Sequence, residues 1–197
     1  MLNPLRSQPP AHVPPAHVLE DAVSDHDALE GVADTLQALL RGAEATLPPG
    51  VTDALHGEWL GHPLHPILVH LPLGGWMIAA ALDHLPARSP GANDAAADRA
   101  LLLGTLGAVG TIATGWADWS NTRGQARRTG LIHGALNEAA FVLNVGSLLA
   151  RRRGRRGLGK ALSGAALGVA VAGGFLGGEL VYRHGLGVGR TLAHRQG

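Results

Sequence analysis

The stretch GHPLHPILVHLPLGGW, residues 61–76, sets His62, His65 and His70 among Pro63, Pro66 and Pro72 at the mouth of an apolar run. Imidazole is the commonest metal ligand and titrates near neutral pH, so histidines at the edge of apolar sequence raise the question of what they hold. Similar polar groups stand beside other apolar runs: Asp118 with Trp116 and Trp119, His133 with Asn137 and Glu138, and Glu179 with Tyr182, Arg183 and His184. Cysteine is absent. That excludes a disulfide framework, a thiolate metal site and a cysteine nucleophile, so a metal or cofactor would rest on His, Asp, Glu, Tyr or Met.

The elements that position these residues follow from hydropathy. Leu64–Leu82 and Leu101–Ala117 carry no Asp, Glu, Lys or Arg, while Leu131–Ala150 carries only Glu138 and Ala161–Leu180 only Glu179. Each run has about the twenty residues that cross the hydrocarbon of a bilayer as a helix. Soluble bundle helices show a charged face every turn, and these runs do not. The sequence therefore predicts an all-α protein, an integral membrane four-helix antiparallel bundle over residues 53–192. Ahead of it, residues 1–52 read as a Pro-rich leader without the features of a signal peptide, then an amphipathic helix. Leu29, Val32, Leu36, Leu39 and Leu40 form the apolar stripe of that helix, over about Asp27–Ala45. It is expected on the membrane surface or against the bundle, with a dimer contact as the other use. Residues 193–197 form a tail. The net charge of +1 gives no reason to expect nucleic acid.

The connection RRRGRRGLGK, residues 151–160, holds six basic residues, against three Arg and an Asp in the 118–130 loop. By the positive-inside rule the Arg-rich loop is cytoplasmic, with both termini outside and the chain in the bacterial inner membrane. In an antiparallel bundle the polar groups at the start of the first span, the end of the second, the start of the third and the end of the fourth meet at one face. The opposite end shows only Asp83 and His84 beside the Arg loop. Small residues, including the two overlapping GxxxG pairs of AGGFLGGE, are expected to let helix backbones approach closely.

Ionisable groups inside a span are normally paired or ligated. One reading is a b-type haem held by two imidazoles, with His70 and His133 as iron ligands and His65 and His184 in reserve. Asp118, Asn137, Glu138, Glu179, Tyr182 and Arg183 would then surround it, and polar neighbours would fix the ring tautomers. The same groups suit a divalent metal, again at His70 and His133, or a quinone.

The motifs LHGEWLGHPLHPILVHLPLGGW, GWADW, HGALN and GGELVYRHGLGVGRT, in this order, resemble a bacterial family of four-helix membrane proteins known only as a domain of unknown function. Related proteins often carry a Rieske iron–sulfur module, which implies a redox setting and a Rieske-type or other redox partner. Such a module needs cysteine ligands, so this chain does not supply them. The competing reading makes the histidines structural, in a non-enzymatic anchor or assembly partner for a redox or cell-envelope protein. There Trp116, Trp119 and Tyr182 anchor the membrane boundary, and Glu179 neutralises Arg183. A homo-oligomer fits either reading. Signatures of hydrolases, phosphate-binding loops and zinc proteases are absent, which argues against an enzyme.

Overall fold

The structure, a computed structural model, describes residues 28–86 and 88–188. The Pro-rich leader, residue Asp27 and the 193–197 tail lie outside the described residues. Among those described, regular structure is entirely helical: α1 (Ala28–Glu44), α2 (Pro49–His56), a short 3-10 turn (Glu58–Leu60), α3 (His65–Leu68), α4 (His70–His84), α5 (Asp94–Trp119), α6 (Gly124–Arg152) and α7 (Arg156–Tyr182).

α3 and α4 are nearly continuous. Pro66 sits in the first turn of α3, where its missing N–H costs nothing, whereas Pro72 cannot donate to the Leu68 carbonyl and so marks the join. His65–His84, Asp94–Trp119 and Arg156–Tyr182 are long and apolar enough to cross a membrane. The remaining long helix, α6, has ample length at 29 residues, yet His133, Asn137, Glu138 and Asn144 along it dilute its apolar character. Of the four expected spans, three therefore coincide with helices that qualify by length and composition together.

α4 packs along α5, α5 on α6, α6 most extensively on α7, and α7 returns to α4. Between them Trp76, Leu101, Ala108, Ala140, Ala166 and Ala170 form the core, so the layer is thin and depends on alanine and glycine. Gly75 and Gly104 face each other so closely that a Cβ on Gly75 would lie 2.6 Å from the Gly104 Cα. This is the backbone approach expected of small residues.

α1 lies across the ends of α5 and α6. Ala33 is fully buried there, with Leu29, Leu36 and Leu40 packed on Trp119 and Leu131. Val32 and Leu39, placed on the same stripe by the sequence, are instead exposed at 56 % and 65 %. The buried side is thus shifted around the helix toward Gln37, whose Nε2 donates to the Trp119 and Thr122 carbonyls, each at 3.0 Å. Both carbonyls lie where α5 ends and the chain turns, and the Trp119 carbonyl also accepts the Thr122 N–H at 2.9 Å. Glu30 and Asp34 pair with Arg127, and Glu30 also with Arg128 at 2.6 Å, so the acidic half of α1 is matched by the loop arginines.

Candidate functional site

Contacts join the start of α3, the end of α5, the start of α6 and the end of α7. His65 reaches α5 through its Nδ1, 2.9 Å from the Thr111 carbonyl. His133 reaches α7 in the same manner, Nδ1 2.7 Å from the Gly173 carbonyl. A carbonyl only accepts, so each ring carries its proton on Nδ1 and presents an Nε2 lone pair, which in His133 has the Asn137 amide as a donor. The two rings stand 6.3 Å apart between centroids and nearly perpendicular, at 81°. Asn137 donates Nδ2 to the His133 carbonyl at 2.7 Å and sits against the ring, with Nδ2 3.3 Å from Nδ1 and 3.4 Å from Nε2.

Glycines seat these side chains. A Cβ on Gly115 would lie 2.8 Å from the His65 Nδ1, one on Gly177 2.9 Å from the His133 Cε1, and one on Gly173 2.9 Å from the Asn137 Nδ2. The Gly173–Gly177 pair thus also seats polar side chains of α6 against α7. Gly57, at φ 72°, permits the turn that leads into the histidines; any Cβ there would strike the His62 carbonyl.

The imidazole that meets His133 is that of His65. His70 is exposed, with Nδ1 3.1 Å from the Ile67 carbonyl of its own chain turn. Its place one turn deeper made it attractive in sequence, but α3 and α4 turn it outward. His184 is half-buried beyond the end of α7, and Tyr182 is 91 % exposed. Glu179 lies within the last turns of α7 with one carboxylate oxygen enclosed, and Arg183 follows at the helix end. Glu138 accepts a 2.5 Å hydrogen bond from the Trp116 indole.

Both tryptophans expected as boundary anchors face inward. Trp119 is buried beneath α1 with its indole donating to the Arg127 carbonyl at 2.7 Å, and it meets Trp116 edge to face at 5.0 Å. Trp59, 69 % exposed on the 3-10 turn, takes the outward position instead. Next to this core His56 stands between two carboxylates, 3.0 Å from Glu44 and 3.5 Å from Asp118. Its role was not read from the sequence. The signal was the register of LHGEW with the end of α1, which becomes visible only once α1 and α2 fold back on α5.

The opposite end corrects the sequence reading most. Far from bare, it is a network of Asp83, Asp94 and Asp98 with Arg151, Arg156 and Lys160. Arg151 pairs with both oxygens of Asp83 and with Asp98 at 2.9 Å, and the Arg151 and Asp83 side chains are each only 1 % exposed. Arg156 reaches Asp83, Asp94 and Asp98 at 3.1, 2.8 and 3.1 Å. Three cations of the Arg-rich segment thus bind α4, α5, α6 and α7 together, while Arg152, Arg153 and Arg155 stay exposed.

No group of three or more metal-ligating side chains occurs among the described residues. The chain belongs to a family described as predicted membrane protein, DUF2231, which it matches over residues 61–190, more than half of its length. No curated protein and no solved structure shows significant similarity to it.

Proposed function

We propose that this member of the DUF2231 family is a four-span antiparallel bundle of the bacterial cytoplasmic membrane that holds a redox centre between His65 and His133. The Arg-rich loop lies in the cytoplasm and both termini outside. The observation that carries the reading is the meeting of the two rings: each Nδ1 is committed to a backbone carbonyl, which leaves the Nε2 of His65 for a further partner and that of His133 facing the Asn137 Nδ2 at 3.4 Å, a donor that a bound centre would have to displace. The ring centroids stand 6.3 Å apart, so both imidazoles border one small space.

Two protein ligands do not complete a metal site, so the centre brings its other ligands with it. A b-type haem does that: His65 and His133 would hold it, and it would supply one-electron redox chemistry. Gly115 and Gly177 lie flush on the two rings. A Rieske-type or other redox protein is the fitting electron partner. The second reading, a structural anchor or assembly partner, is favoured by that same flush packing, which leaves the imidazoles as cross-braces between helices.

The test is to purify the protein in mild detergent from a haem-replete host and record its oxidised and dithionite-reduced visible spectra with a metal analysis. A Soret band with sharpened α and β bands on reduction supports the haem site. A featureless spectrum without stoichiometric metal overturns it and leaves the anchor reading.

A further inference from the structure

The groove between α5 and α6 at the ionic end has no part in the histidine site. Asp98, Arg99 and Leu102 of α5 and Leu148, Arg151 and Arg152 of α6 line it. The charges divide into two sets. Asp83, Asp94 and Asp98 are matched by Arg151, Arg156 and Lys160, as the ion pairs above describe. Arg99 and Arg152 are left over: both are exposed, and neither has an ion pair or side-chain hydrogen bond with the described residues.

Their placement is graded along the helices. Leu102 lies three residues inward of Arg99, and Leu148 four residues inward of Arg152. That is one helical turn, about 5 Å, toward the middle of the span. One turn deeper on α5, Leu106 is exposed at 60 %. The groove therefore offers two unpaired guanidiniums at its mouth, apolar walls below them and an apolar surface beyond. The match is an anionic head above acyl chains, and a guanidinium pair suits phosphate oxygens through its forked donors.

We infer that this groove binds the phosphate-bearing head of an anionic phospholipid, with Arg99 and Arg152 on the head and Leu102 and Leu148 against the first segments of the chains. Basic pockets between spanning helices on the cytoplasmic side bind such heads, and the cytoplasmic leaflet supplies them. Asp98 stays compatible because Arg151 and Arg156 already neutralise it. The site is independent of whatever occupies the histidine end.

Native mass spectrometry of the delipidated full-length protein tests it, with phosphatidylglycerol, phosphatidylcholine of the same chains, and inorganic phosphate as separate additions. The wild type should retain phosphatidylglycerol at activation energies that strip phosphatidylcholine. Each surface cation contributes about fivefold to binding an anionic lipid surface, so R99Q/R152Q should bind phosphatidylglycerol about 25-fold more weakly. R99K/R152K should keep most of the preference, and R153Q, in the exposed loop, should keep all of it. Equal retention of the two lipids by the wild type, or an unchanged preference in a folded R99Q/R152Q, overturns the inference. Inorganic phosphate displacing the lipid at equal concentration overturns it too, by making the groove a site for the free anion.

Discussion

Replacing Arg151 with methionine should unfold the protein more readily than any single change elsewhere at the ionic end. The guanidinium holds both oxygens of Asp83, Asp98 at 2.9 Å, and the hydroxyls of Ser147 and Ser163 at 3.1 and 3.0 Å. Methionine keeps much of the apolar packing of the stem but removes the charge together with the two serine hydrogen bonds. Breaking a buried pair by deleting one partner costs about 3–5 kcal/mol, because the other charge is stranded. Asp83 here is only partly stranded, since Arg156 remains at 3.1 Å and Lys160 at 3.8 Å. The expected loss is therefore at the low end, about 3 kcal/mol, or roughly 6–12 °C in Tm for a chain of this size. The complementary change, Asp83→Asn, leaves Arg151 with Asp98 and should cost less. The double variant should lose less than the sum by at least about 1 kcal/mol, because the two side chains share one interaction. Thermal unfolding followed by circular dichroism in one fixed detergent measures all three. An Arg151→Met change within about 0.5 kcal/mol of wild type, or strict additivity in the double variant, would refute the clamp.

Within AGGFLGGE the glycines should separate by position. Gly173→Ala drives a Cβ to 2.9 Å from Asn137 and should cost about 1–3 kcal/mol by overpacking, whereas Gly174→Ala meets no atom within 4 Å and should be neutral or stabilising by up to about 1 kcal/mol; thermal unfolding distinguishes them. Gln37→Ala removes both hydrogen bonds to the end of α5 and should weaken α1 docking by about 1–3 kcal/mol. Hydrogen exchange would show that as faster exchange in α1 with α7 unchanged. Because the chain has no cysteine, single cysteines report membrane side cleanly. A cysteine replacing exposed Arg153 should react with an impermeant maleimide only in inside-out vesicles, and one replacing exposed Asn121 only in right-side-out spheroplasts.

The long helices were legible because each burial decision is written as a run of about twenty residues, and the membrane character with them. Their ends were harder to read. The convergence of His65, Trp116, His133 and the end of α7 followed from counting spans, yet which histidine met His133 depended on Pro72 and the turn of α3 into α4, a rotation that spacing does not encode. The ionic end was missed for a related reason. Asp94 and Asp98 stand four apart on one face of α5, but RRRGRR read alone looks like a topology signal, and only the packed helices show Arg151 turning inward. On α1 the leucines predicted the buried side about one residue off, because Gln37 is buried for its hydrogen bonds and not for hydropathy. Trp119 likewise read as a lipid-facing anchor, whereas α1 covers it.

The most direct measurement of the central claim is the reduced-minus-oxidised spectrum of purified His65→Ala, His133→Ala and His70→Ala proteins, each confirmed as helical and monodisperse. The account predicts that the wild-type haem band is lost in His65→Ala and His133→Ala and retained in His70→Ala. A band that disappears in His70→Ala while surviving in His65→Ala, or no band in the wild type from a haem-replete host, would contradict it.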